Sequence, residues 1–262
     1  MSNDSPLTPD QLTDDHYQVA GWIKAARRVV AFTGAGISTE SGVPDFRSPG
    51  GIWATSQPVL YQDYISDPAA RYEAWRQKSI AHRDFRDCQP NAGHRVLAKW
   101  EAAGRLTAVI TQNIDGFHQI AGSRRVLEIH GTAREIVCLE CAARFPADPM
   151  VEQFLATDRV PTCPKCGGMV KHATISFGQS LDADVLQESV RLSEFADLFL
   201  AIGSSLVVEP AAGLPRRARA ADAKLVIINR TPTPQDGSAH LLFRTGIGET
   251  LTAIDMALER DE

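Results

Sequence analysis

No stretch of the sequence reaches the roughly 18 consecutive apolar residues that a membrane-spanning helix needs. Basic charge is not in excess either. There are 27 lysines and arginines against 32 acidic residues, a net charge of −5. Direct nucleic-acid binding calls for a basic face, and none is indicated. An acidic balance this small mainly serves solubility. Cysteine is scarce and odd in number, five in 262 residues, which argues against a disulfide framework. The first fifteen residues are polar and acidic, without the basic start and apolar stretch of a secretory signal. There is no internal repeat and no low-complexity tract. These absences predict a cytoplasmic protein with no membrane attachment.

What is present is enough apolar residue, 44%, for a sizeable core. The length permits one large domain with a smaller insertion. A helical pattern over 10–27 leads into the apolar run Val29–Phe32, which reads as a buried strand. Further helices are predicted over 67–87 and 91–103. Between them and the first strand, residues 43–66 read as a long loop of the kind that carries function. Apolar runs at 107–111, 126–131, 198–202 and 225–228 read as further strands, each ending in small polar residues. Buried strands separated by helices describe an α/β, doubly wound parallel sheet of Rossmann-like type, in which ligands bind at the carboxyl ends of the strands.

Residues 132–176 change character and hold two C-x2-C pairs, Cys138/Cys141 and Cys163/Cys166, with 21 residues between them. Each pair makes a knuckle offering two thiolates, and two knuckles close a tetrahedron around zinc. Four cysteines leave no open position, so such a zinc holds structure and performs no chemistry. Cys88 stands alone and reads as an ordinary thiol. The predicted division is a discontinuous Rossmann-like domain at 1–47, 91–131 and 177–262, a loop and helical module at 48–90, and an inserted zinc-binding module at 132–176.

After the first strand comes Gly34-Ala35-Gly36-Ile37. Glycines in that place suit the pyrophosphate of a dinucleotide. A dehydrogenase fingerprint would add a third glycine at position 39, occupied by Thr39, and an acid about 20 residues on after a second strand. The acid comes instead inside the loop, at Asp45. NAD is a fitting ligand, but the surroundings are not those of hydride transfer. Taken alone, the glycines could equally form a plain tight turn.

Thr33–Ser38, Gly42-Val43-Pro44-Asp45-Phe46-Arg47, Thr111–Asp115, His130-Gly131, the cysteine pairs, Phe177-Gly178, Gly203–Leu206 and Ile228–Arg230 stand in an order that resembles the sirtuins, over about 15–258. The resemblance implies an NAD-dependent protein-lysine deacylase, most simply a deacetylase. Such an enzyme passes the acyl group of an acyl-lysine substrate to ADP-ribose and releases nicotinamide. It implies NAD as a consumed co-substrate and one structural zinc.

It also implies roles. His130 is the general base, an imidazole whose ordinary pKa of about 6.5 suits taking a proton from a ribose hydroxyl. Asn113 holds the ribose and a water, Gln112 bonds ribose hydroxyls, and Ile114 and Asp115 receive the carboxamide. Asp45, Phe46 and Arg47 cover the nicotinamide and phosphates. Gly203, Ser204 and Ser205 bind phosphate or the adenosine ribose, with Asn229 and Arg230 at that ribose and Ile247 near the adenine. Ile175, Phe177 and Gly178, with Val208 opposite, pair with an extended substrate backbone.

Two departures bear on substrate choice. Gln179 stands where sirtuins commonly have Glu. Trp75 and Lys78 occupy the places of a Tyr-x-x-Arg pair found in sirtuins that favour acidic acyl groups, with Tyr72 and either Trp75 or Arg76 as the shifted alternative, so no clear desuccinylase signature is present. The rival readings are an NAD-dependent ADP-ribosyltransferase, a non-catalytic NAD-sensing module and a nicotinamide dehydrogenase.

Overall fold

The computed structural model describes residues 11–45, 51 and 57–260. Six parallel strands form the main sheet: β1 (Val29–Thr33), β2 (Ala108–Thr111), β3 (Val126–Glu128), β7 (Leu198–Ile202), β8 (Lys224–Ile228) and β9 (Leu241–Phe243). Their order is β3-β2-β1-β7-β8-β9, so the winding direction reverses between β1 and β7. Crevices of doubly wound sheets open at such a reversal.

Helices cover both faces, which is why the strands are apolar throughout and do not alternate with polar residues. The period of two is still there, written between two cores. Val29 and Ala31 of β1, with Leu198, Leu200 and Ile202 of β7, face the core shared with α1 (Asp14–Ala25), α4 (Ala92–Ala102) and α9 (Ile247–Arg260). Val30, Phe32, Phe199 and Ala201 face the other core, with α7 (Ala183–Phe195) and α8 (Leu214–Ala220). Helix starts follow ordinary capping: Asn91 accepts from Gly93 N–H at 2.9 Å, and Asp182 accepts from Asp184 and Val185.

A separate three-stranded antiparallel sheet is built from β4 (Gly131–Cys138), β5 (Arg144–Pro146) and β6 (Val170–Thr174), in the order β5-β4-β6. Helix α6 (Ala147–Thr157) packs on it. So do α2 (Tyr61–Ser66) and α3 (Pro68–Phe85), which share one apolar core with it through Tyr64, Trp75, Ile136 and Phe154.

Three local features differ from the sequence expectation. The run 126–131 is not one strand: β3 stops at Glu128 and β4 begins at Gly131, with His130 in the turn between. The first glycine turn opens a 3-10 helix, Ala35–Ser41, an element to which the sequence reading gave no bounds. Part of the expected 43–66 loop is α2. Among the described residues no helix is long and apolar enough to cross a membrane.

Candidate active site

At the sheet's reversal, the turns after β1 and β7 are pressed backbone to backbone. Gly34 N–H donates to Ile202 O at 3.0 Å, and Gly36 N–H to Gly203 O at 2.8 Å. A Cβ on Gly34 would come 2.8 Å from Gly203 O, and one on Gly36 would come 2.7 Å from Gly203 Cα. Glycine is therefore required here by main-chain contact between two turns. The Ile37 N–H closes back on Gly34 O at 3.1 Å, with Ala35 between them. Ser204, buried beside Gly34, donates to Gln112 Oε1 at 2.6 Å and so ties the β7 turn to β2. Ser205 follows it, half-buried.

Beyond β2, one hydroxyl organises the polar residues. Ser38 Oγ donates to Asp115 Oδ2 at 2.7 Å and accepts from Asn113 Nδ2 at 3.1 Å. Asp115 also accepts from Phe117 N–H at 2.9 Å. Burial pushes the Asp115 carboxyl above its ordinary range, and these donors oppose the shift. Ile114 is held by its carbonyl, which accepts from Ala133 N–H. Asn113 is only 5% exposed, and its Oδ1 has no donor among the described residues. A buried acceptor of this kind is suited to a ligand hydroxyl.

His130 lies 3.1 Å from Gln112 O through its Nδ1. A carbonyl only accepts, so Nδ1 carries a hydrogen, and in the neutral ring the basic lone pair is on Nε2. On the other side, His130 O accepts from Ile175 N–H at 2.8 Å. The strand leading to the expected peptide segment is thereby tied to the base.

That segment is a turn following β6. Phe177 is exposed, its carbonyl accepting from Tyr61 N–H at 2.9 Å, and Gly178 has φ +81°. Val208, half-buried, gives its carbonyl to Ala212 N–H. Gln179 Oε1 accepts from Ser176 N–H and lies 3.3 Å from Lys171 Nζ. Trp75 is fully buried, its indole N–H shared between Tyr64 Oη and Val170 O. Lys78 donates to Thr174 Oγ1, and burial, with Lys171 nearby, pushes its amine down to about 7.

At the end of β8, Gly203 N–H reaches Ile228 O, which puts Asn229 on the same sheet edge. Asn229 Nδ2 is turned onto Thr231 O at 2.8 Å, and Arg230 is exposed. Ile247 is packed into the core, and its N–H is taken by Glu40 Oε1 at 2.8 Å. Asp45, half-buried, is described; Phe46 and Arg47 lie outside the described residues. Ser38 and Glu40, given no role from sequence, gain theirs only through partners distant along the chain.

The four cysteine sulfurs lie within 4.8 Å of one another, with Cys138–Cys166 at 3.5 Å and Cys141–Cys163 at 3.7 Å. Four sulfurs bonded to one tetrahedral zinc stand about 3.8 Å apart. The donor set and spacing fit a structural zinc.

Comparison with known proteins agrees with this arrangement. A profile of the Sir2 family matches residues 34–210. The chain is 48% identical over 236 residues to an "NAD-dependent protein deacetylase" of Rhodopseudomonas palustris, covering 89% of this chain and 93% of that protein. It is 48% identical over 231 residues to "NAD-dependent protein deacetylase 1" of Bradyrhizobium diazoefficiens, covering 87% and 91%. A solved structure described as "Sir2-p53 peptide-NAD+" superposes with a TM-score of 0.83 at 36% identity, covering 91% of this chain and 96% of that one. Another, "Sir2 bound to acetylated peptide", gives 0.83 at 35%, covering 92% and 98%. The chain belongs to the Sir2 family.

Proposed function

We propose that this protein is an NAD-dependent protein-lysine deacetylase that moves the acyl group from lysine to ADP-ribose and releases nicotinamide. The observation that carries the reading is the His130–Gln112 contact, which leaves the lone pair of the neutral ring on Nε2 at the sheet edge where Asn113 has a buried acceptor unmatched among the described residues. Kinship supports it, since the relatives bear the name of this activity.

NAD, when bound, supplies the activated ribose carbon and the hydroxyl that takes the acyl group. The chain's residues bind and steer. The Gly34–Gly36 turn and Ser204 hold phosphate, Gln112 and Asn113 Oδ1 accept from ribose hydroxyls, and Asp115 with the Ile114 backbone meets the carboxamide. His130 Nε2 accepts the proton of the attacking hydroxyl. Asp45, Phe46 and Arg47 cover the nicotinamide end, and Ser205, Asn229 and Arg230 the adenosine ribose. Ile175, Phe177, Gly178 and Val208 flank the substrate backbone. Cys138, Cys141, Cys163 and Cys166 hold zinc as a staple. The Trp75 indole is already committed to Tyr64 and Val170, so it is not a partner for an acidic acyl group. This favours acetyl and other neutral acyl groups.

In this reading the chain divides at 1–47, 91–131 and 177–262 for NAD, 48–90 for the loop and helices, and 132–176 for zinc, and it works in the cytoplasm on acyl-lysine proteins. The test is acetyl-lysine peptide with NAD labelled in its adenylate half. Label appearing as soluble O-acetyl-ADP-ribose is expected; label retained on protein would establish ADP-ribosyl transfer instead, and no NAD turnover would leave a binding module.

A further inference from the structure

Beneath the proposed catalytic residues lies a second polar assembly. His118, on the short helix α5 (Phe117–Ile120), has Nε2 2.9 Å from Thr33 Oγ1. Thr33 Oγ1 donates to Thr111 Oγ1 at 2.8 Å, and Thr111 Oγ1 accepts from Asn113 N–H at 3.0 Å. His94 of α4 packs its ring against that of His118, centroids 4.9 Å apart. Both are sealed from solvent, at 0% and 1% exposure.

Donor counting orders this assembly. Thr33 has one hydroxyl hydrogen, given to Thr111, so toward His118 it accepts, and His118 carries its hydrogen on Nε2. That leaves His118 Nδ1 a bare acceptor. His94 Nδ1 meets both Asn91 N–H, at 3.3 Å, and Asn91 Oδ1, at 3.1 Å. His94 Nε2 and His118 Nδ1 are both buried without a partner among the described residues. The two rings touch without a hydrogen bond between them.

We propose that His118, packed against the buried ring of His94, is held in one tautomer and, with hydrogen-bond polarity running His118 to Thr33 to Thr111, positions the backbone of Asn113. The pair acts through Asn113 and touches no substrate; it is a positioning device. It rests on the proposed function only in that Asn113 serves catalysis there. Burial supports it: His118 is pushed down to about 3 and His94 to about 4, so both rings are neutral at working pH. The assembly also reaches the cofactor turn, because Asn91 Nδ2 donates to Ile37 O at 2.6 Å.

The test has two arms. In nitrogen-15-labelled protein at about pH 7.5, imidazole shifts should show both rings neutral, with the hydrogen of His118 on Nε2. A charged ring, or the His118 hydrogen on Nδ1, overturns the proposal. In the kinetic arm, His118→Leu should lower kcat by about tenfold or more with KM for the peptide within about threefold. His118→Gln, whose amide can donate to Thr33, should recover most of that. Thr111→Val should match His118→Leu, and the double variant should lose no more than either. Equal activity, or equal impairment, of the Leu and Gln variants overturns it. If the wild-type protein shows no deacylation, the proposed function falls while the tautomer arm still decides this one.

Discussion

The Nδ1 of His130 is tied to the main-chain carbonyl of Gln112, at 3.1 Å. Because a backbone atom sets the ring's tautomer, side-chain changes around it cannot easily reassign the base. His130→Ala should therefore remove deacylation by about 10²-fold or more, while melting temperature, zinc content and NAD binding stay close to wild type. Turnover near the wild-type rate in that variant would contradict the assignment.

The contact of the Gly34–Gly36 turn with Gly203 makes a second expectation. Gly36→Ala places a Cβ 2.8 Å from Gly203 O, and the obstacle is backbone that has no flexible end to swing away. The two turns must separate, at a cost of about 1–3 kcal/mol. NAD affinity measured by calorimetry should fall about tenfold, with the α9 side of the fold intact. Unchanged affinity would mean that the turns need not meet for the cofactor to bind.

Zinc content should be about one per chain. Cys138 and Cys163 are buried beside Ile136 and Val170, in the core that also holds Tyr64 and Trp75. Removing the ion, or Cys163→Ala, should thus loosen α2 and α3 along with the three-stranded sheet. The readout is hydrogen exchange over 57–85 and 131–174; protection unchanged after verified metal loss would show that the apolar core suffices alone.

Much of this was legible in the sequence, and the limits have physical causes. Apolar runs such as Leu198–Ile202 reveal buried strands because helices cover both faces. The cysteine spacing reveals the metal site because the knuckles are local. Strand β9 is three residues and α2 six, too short for a period to register. His130 looked like the end of a strand because Val126, Leu127 and Ile129 are apolar, but its place in a turn depends on Gly131 pairing with Thr174 of β6. Ser38 and Glu40 were silent for the same reason: their partners, Asp115 and the start of α9, are 77 and 207 residues away.

Acid should unfold the protein from a predictable pH. His94 and His118 have an ordinary value of 6.5 and folded values of about 4 and about 3. The unfolded chain binds more protons between those limits, so stability is complete above 6.5 and is lost as pH falls toward 4. Buried His172, also lowered by burial, adds in the same direction. The loss should amount to a few kcal/mol, on the order set by one pKa unit per 1.4 kcal/mol. Urea midpoints between about pH 4.5 and pH 8 should show it, with a shallower slope in His118→Gln. An unchanged slope in that variant would mean that His118 does not carry the effect.

Ser38 should matter to rate more than its size suggests. Its hydroxyl donates to the Asp115 carboxylate and accepts from Asn113 Nδ2, so one oxygen aligns two of the proposed binding residues. Ser38→Ala removes a hydrogen bond to a charged group, about 1.5–3 kcal/mol, which is about tenfold or more in kcat/KM for NAD. It also removes one of the donors that hold the Asp115 carboxyl down against burial. The charged form is then less favoured, the carboxyl moves further up, and the acidic limb of the kcat/KM profile shifts to higher pH. Ser38→Thr, which keeps the hydroxyl, should restore the position of that limb even if the added methyl slows turnover. A limb unmoved in Ser38→Ala would show that Asp115 is not the group that titrates there.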